Sequence, residues 1–276
     1  MDTLSGSQGD FSNSLLEMVR VMQGVLGVQV VTGPMYNVWD LRMNVARPPF
    51  DDLRVRQAVA GYGLDRQEIL KLGFLGYGQP SVSMLTPGME GYQSLLERYP
   101  YDPQKAKALL QEAGYGPSHP LAFTFLSPTI EPAFTNVPTL LKEQLRRIGV
   151  QMKIDMLDKV TWMDHVARQH DFQATMGNLT GFAIGAFAPF FETTAPLNFA
   201  QHGDARVDEL FQQWRTTTDP TAHAQATERL QAYLADKLYL AGLANTPFFH
   251  GVRDSVKGYT FVDKLHLHFE AAWLER

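Results

Sequence analysis

The chain has 276 residues, 45% of them hydrophobic and 19% charged, enough for a sizeable core in one or two domains. A net charge of −5 leaves no basic footprint for nucleic acid and disfavours docking on anionic membranes. The absence of cysteine excludes disulfides, Cys-ligated zinc, iron–sulfur clusters and thiol nucleophiles. No run approaches the ~20 apolar residues of a membrane span. Met1 to Asp10 carries neither the basic nor the apolar region of a secretory signal, so the chain as given is expected to stay where it is made.

Residues 15–22 place Leu15, Met18, Val19 and Met22 on one helical face. Residues 28–32 and 36–45 read as strands around the turn at Gly33-Pro34. The stretch from Arg47 to Ala58 reads as a strand exit, a rigid double proline and an abrupt helix start. Each proline fixes its own φ and pushes the preceding residue out of the helical region. Asp51 and Asp52 offer capping carboxylates, and Val55, Ala58, Val59 and Tyr62 then recur at helical spacing. Asp65 with Glu68 three residues on predicts a capping box. Residues 76–101 are rich in Gly and Pro and long for a plain connection, which suggests a functional or wrapping loop.

Asp102 as N-cap, Pro103 at N1 and Gly114 beyond the end delimit a helix whose apolar face is Ala106, Leu109, Leu110 and Ala113. Strand 121–126, helix 137–148, strand 150–156, helix 162–168 and strand 172–176 follow, an alternation that predicts α/β layering with some parallel strands. Residues 178–191 break it with small residues and Phe182, Phe187, Phe190 and Phe191. Helices are expected at 207–214 and at 220–238, the latter capped by Asp219 with Pro220 at N1. Residues 243–273 read as strands with turns at Gly251 and Gly258.

Little of this carries catalytic chemistry. There is no Gly-x-Ser-x-Gly elbow, and the glycines of residues 73–78 match neither dinucleotide nor P-loop spacing, so a loop-shaping role suits them. His266 and His268 share a strand face, a spacing metals can use, but only Glu270 lies near them and a solvated face is the better reading. His165 and His170 flank a helix end, where positive character suits the dipole. The pairs Asp51/Asp52 and Asp155/Asp158 sit at helix starts and strand ends, where capping is the ordinary role. No enzyme, metal or cofactor is expected. The segment from Asn178 to Phe187 is different, because it follows a buried strand where α/β sheets place ligands. Asn178 and Thr180 can orient a polar group, and Leu179, Phe182 and Phe187 can supply apolar walls. The same phenylalanines can equally be core.

Several segments together resemble the C-terminal part of a family 5 extracellular solute-binding protein, the oligopeptide, dipeptide and nickel type of ABC importers. They are Leu4-Ser5-Gly6 with Gly9-Asp10-Phe11, Met43-Asn44, and Pro49-Phe50-Asp51-Asp52 with Arg54-Val55-Arg56-Gln57-Ala58. Next come Leu64-Asp65-Arg66 with Ile69, then Gly76, Gly78 and Pro80. Tyr101-Asp102-Pro103 with Lys105-Ala106, Ala113-Gly114-Tyr115, and Val256 with Gly258-Tyr259 complete the series.

The resemblance implies an α/β, periplasmic-binding-protein-like type II clamshell of two lobes that close around a solute. It divides the chain into residues 1–46 (part of the first lobe and a hinge strand), 47–241 (the second lobe) and 242–276 (the return strand and the end of the first lobe). The chain begins well inside the family's pattern, so a signal peptide and most of the first lobe have no counterpart in it. The implied partners are a small solute and the membrane permease subunits of an ABC importer. A monomeric, periplasmic parent protein is expected, without nucleic acid or direct membrane insertion. The alternative is a ligand-sensing domain of a transcriptional regulator with the same fold.

Peptide-binding members hold the ligand's amino terminus with an acidic residue in the loop after the strand at 172–176. This chain is neutral there until Glu192, so a neutral or anionic solute is expected. Arg168 matches a position where some members face the ligand with an Arg, which could take a carboxylate bidentately. Asn245 and Phe248, on the return crossing near residues 240–249, complete the expected ligand set with Asn178, Leu179, Thr180, Phe182 and Phe187.

Overall fold

The computed structural model describes residues 14–261, 267–268 and 270–275. The chain opens with α1 (Ser14–Gln23), β1 (Val28–Thr32) and β2 (Asn37–Met43). There follow α2 (Leu53–Arg56), which runs straight into a π-helical segment Gln57–Tyr62, α3 (Arg66–Gly73), β3 (Gln79–Pro80) and α4 (Pro103–Glu112). Next are β4 (Ala122–Pro128), α5 (Ala133–Arg147), β5 (Gln151–Leu157), α6 (Lys159–Met163), a second π-helical segment Asp164–Arg168, and β6 (Ala174–Thr180). Helices α7 (Ala188–Phe191), α8 (Ala205–Thr216) and α9 (Pro220–Lys237) lead to β7 (Leu240–Thr246) and β8 (Phe249–Arg253). Four two-residue strands end the chain: β9 (Val256–Lys257), β10 (Thr260–Phe261), β11 (Leu267–His268) and β12 (Trp273–Leu274).

Six strands form one mixed sheet in the order β3-β7-β2-β6-β4-β5. β4 is parallel to both β5 and β6, whereas β2 is antiparallel to β6 and β7. Every residue of β2 and β7 is buried, as befits strands covered on both faces. One face carries Trp39, packed on Phe74 at the end of α3 and Phe134 of α5. The other carries Val38 and Leu179 in a cluster with Leu210, Phe211, Leu230 and Leu234 of α8 and α9. Because β2 lies at the centre of this sheet, the sheet extends across both expected lobe boundaries, 46/47 and 241/242, and the second of these cuts β7.

The junction after β2 behaves as its sequence requires. Asp52 is the N-cap and accepts from the Arg54 N–H, and Val55, Ala58, Val59 and Tyr62 are buried. Asp51 does not cap. The Asp65 carboxylate accepts from the Glu68 N–H at 3.0 Å, but the reciprocal half of the expected box is supplied from α5. Gln144 Oε1 accepts from the Asp65 N–H at 2.9 Å, and Glu68 turns outward to Gln144 and Arg147. Arg66, fully buried, donates to the carbonyls of Ser81, Gly242, Gly61 and Ala60, tying loop, β7 and π-helical segment together. With no carboxylate beside it, burial lowers its pKa to about 10. The long loop wraps as expected, since residues 81–86 are all buried beside β7. Gly78 belongs there because its φ of +105° lets the backbone press on the Asn245 carbonyl, where a Cβ would collide.

Outside the sheet, β1 and β8 pair antiparallel as a two-stranded ribbon, with α1 packed on it through Val19 and Met22. The ribbon joins the sheet by two adjacent crossings, residues 33–36 into β2 and residues 247–248 out of β7. They are bonded to each other, Gly33 N–H donating to the Phe248 carbonyl at 2.7 Å. His266 and the side chain of His268 lie outside the described residues, as do residues 4–11.

Candidate functional site

β6 and β7 end where β2 begins, so three strands converge at the crossings. Their register builds a polar row across the sheet, because directly opposed residues share a face. Thr180 of β6 faces Asn37 of β2, which faces Thr246 of β7. Asn178 follows one step in, opposite Trp39. The Thr246 hydroxyl accepts from Asn37 Nδ2 at 3.1 Å and from Trp39 Nε1 at 3.2 Å. Asn37 is fully buried and its Oδ1 has no hydrogen-bond partner. A buried acceptor left unsatisfied costs about 1–3 kcal/mol, which marks this end of the sheet as strained in polarity.

The expected strand at residues 172–176 is displaced and longer than its sequence suggests, running from Ala174 to Thr180. Asn178, Leu179 and Thr180 are therefore its last three residues rather than loop. Alternation divides the nominated residues between two faces. Asn178 and Thr180 lie with Asn37 and Thr246, both half-buried. Leu179, Phe187 and Asn245 lie on the opposite face, where Leu179 and Phe187 are core. Asn245 Nδ2 donates to the Leu85 carbonyl at 3.4 Å and its Oδ1 is unpartnered. Phe248 is buried on the return crossing.

Phe182 is the exception, 44% exposed beyond the strand end, with its ring edge-to-face on Tyr36 at 5.0 Å and 80°. Residues 177–191 and 240–249 contain no ionisable side chain. Arg168 is not brought to this place. It precedes β6, its side chain is 79% exposed, and it pairs with Asp164 one helical turn away at 3.2 Å. The anionic solute expected on the strength of Arg168 thus loses its cation.

Sequence reasoning missed Tyr36, Asn37, Trp39 and Thr246. The one signal available was amides and hydroxyls interrupting otherwise apolar strands. Two open depressions lie elsewhere, beside β4 and the edge strand β5. One of about 710 Å³ is lined by Leu126, Ile154, Asp155, Met156, Leu157, His165 and Asp171. Its neighbour of about 460 Å³ adds Arg47, Thr124 and Gln173. Their charges are already paired, Arg47 with Asp171 and Lys153 with Asp155. Among the described residues no three His, Asp or Glu side chains could hold a metal ion, and no helix is long and apolar enough to cross a membrane.

Comparison with known proteins supplies the context for this geometry. The chain is 30% identical over 259 residues to the dipeptide-binding protein of Escherichia coli K12, an alignment covering 90% of this chain and 48% of that protein. It is 28% identical over 232 residues to di/tripeptide-binding protein 2 of Pseudomonas aeruginosa, covering 79% and 42%. Among solved structures, the dipeptide-binding protein of Pseudoalteromonas sp. SM9913 in complex with Met-Leu superposes with a TM-score of 0.81. Identity there is 23%, over 94% of this chain and 52% of that one. NikA of Staphylococcus aureus in complex with Ni(L-His)2 gives 0.78 at 18% identity, over 89% and 53%. These are folds of the periplasmic-binding type, and none of the relatives named is a transcriptional regulator. The chain spans about half the length of the curated relatives it matches. The family model for bacterial extracellular solute-binding proteins, family 5 (middle region), matches residues 2–198, and the chain belongs to that family.

Proposed function

We propose that this chain captures a small, uncharged, peptide-like solute as part of the binding component of an ABC importer. In this reading it works outside the cytoplasm, as a monomer, and hands its solute to membrane permease subunits. No catalytic step is assigned to it. The six-stranded sheet with its helices is one lobe, residues 37–246, and the β1–β8 ribbon with α1 stands across the hinge. Residues 33–36 and 247–248 are the hinge strands. This reading sets the boundaries at 36/37 and 246/247 instead of 46/47 and 241/242, so that β2 and β7 stay with the sheet in which they pair.

The observation that carries the reading is the neutral polar row Thr180–Asn37–Thr246, with Asn178 beside it, at the strand ends next to two bonded crossings. The half-buried Asn178 and Thr180 offer an amide and a hydroxyl that match the N–H and C=O groups of a peptide-like solute, and the buried Asn37 and Thr246 support them from within the sheet. A buried ammonium would find no carboxylate in residues 177–191 and would be destabilised by several kcal/mol. The test is native mass spectrometry of the chain with two probes of the same side chains, alanyl-leucine and N-acetyl-alanyl-leucinamide. The blocked probe is expected to be retained at lower concentration. Equal or stronger retention of the charged dipeptide contradicts the assignment.

A further inference from the structure

An aromatic side chain exposed at a strand end is ordinarily mobile, but Phe182 is held on both sides. Gly181 before it is buried beneath Ala186 and Phe187, close enough that a Cβ there would crowd both. Ile184 and Phe187 anchor the following turn in the core. Gly185 lies flat against the Trp214 ring of α8, where a Cβ would collide with the indole. Trp214 is fixed in turn by its Nε1–H, which donates to Thr227 Oγ1 of α9 at 3.0 Å. The Phe182 ring itself is braced edge-to-face by Tyr36 from the other crossing. A rigid loop therefore presents a 44% exposed aromatic ring beside the polar row, with no charged side chain in residues 177–191.

We infer that Phe182, braced by Tyr36 and seated on the Trp214-pinned loop, is a preorganised stacking platform for a planar, uncharged aromatic ring of the bound solute. This rests on the solute-binding reading above and narrows it to ring-bearing, amide-containing compounds. Ring pairs in offset or edge-to-face geometry favour one another over an aliphatic contact of similar area, by about two- to tenfold in affinity. Because Phe182 and its loop are already fixed, little ordering opposes that gain. An aromatic pair can also receive a cation on its face, so a quaternary ammonium is the competing ligand class.

The test uses ligand-observed NMR titrations of the whole chain and two variants, Phe182→Ala and Phe182→Tyr. The probes are N-acetyl-phenylalaninamide, N-acetyl-leucinamide and choline. The unsubstituted chain is expected to favour the phenylalanine amide over the leucine amide by about two- to tenfold. Phe182→Ala should abolish that preference, and Phe182→Tyr should keep it. A preference that survives in Phe182→Ala overturns the inference, as does choline saturating at lower concentration than either amide. Equal binding of the two amides overturns it while the solute-binding reading stands. Failure of all three probes to saturate removes both.

Discussion

The six-stranded lobe and the β1–β8 side of the chain differ in how their apolar surface is covered. The lobe's sheet has helices on both faces, and its largest fully buried side chains run from Trp39 to Phe211. The ribbon has α1 on one side, and Val19, Met22 and Phe249 carry it into the sheet's buried cluster, with the Phe249 ring edge-to-face on Tyr77 at 5.1 Å. Leu26 there is 99% exposed, and Val21, Val25, Trp273 and Leu274 are also exposed. A two-stranded ribbon is marginal on its own, so its order depends on the crossings to β2 and β7 and on the Phe249 contact with Tyr77. The six-stranded sheet and its helices therefore hold most of the buried core, and the ribbon, with fewer buried side chains, is expected to open at lower free energy.

The comparison breaks if substitutions on the two sides have similar effects. Trp39→Ala should show the largest effect, about 3–5 kcal/mol in urea unfolding, because it empties a site between Phe74 and Phe134 and takes a donor from Thr246. Arg66→Met should follow at about 2–4 kcal/mol, since it leaves four carbonyls without their shared donor.

Acid should act next. His202 is stacked on Tyr239 at 4.1 Å, and burial holds its imidazole below its ordinary pKa of 6.5, so the folded state keeps it neutral. The unfolded chain takes up the proton first. Stability is therefore full above about pH 6.5 and declines as pH falls below it. Urea midpoints at pH 7.5 and 5.5 isolate this from Asp52, Glu68 and Asp204, whose depressed carboxylate pKa values place their losses in stronger acid. His202→Phe should reduce the difference, and the remainder belongs to His250 of β8, whose imidazole is also held below its ordinary pKa by burial. Leu26→Lys should be smallest, within about 0.5 kcal/mol. A loss comparable to Trp39→Ala would show that the ribbon belongs to the lobe's cooperative unit.

Helix starts were legible because capping is local. Asp52, Asp65, Asp102, Asp158 and Asp219 all accept backbone N–H bonds where their spacing indicates. The family resemblance was legible for a related reason, since its segments are mostly such turns and caps. What could not be read depends on pairing between distant segments. β6 extends through Asn178 and Thr180 because β2 supplies its ladder, although Gly177 and Asn178 weaken the strand signal. Arg66 looks like a surface cation until the four carbonyls around it are assembled from three parts of the chain. The expected ligand residues fall on two faces of the sheet. A period of two separates Asn178 and Thr180 from Leu179, and that separation has consequences only once the register with Asn37 and Thr246 is known. The two π-helical segments likewise have no sequence signature that set them apart from α-helix.

The most direct test of the central claim is amide chemical-shift mapping of the chain titrated with N-acetyl-alanyl-leucinamide. The account predicts perturbations concentrated at residues 36–38, 178–183 and 245–248, where the polar row meets the crossings. Perturbations concentrated instead at Leu126, His165 and Asp171, in the open depressions beside β5, would contradict it.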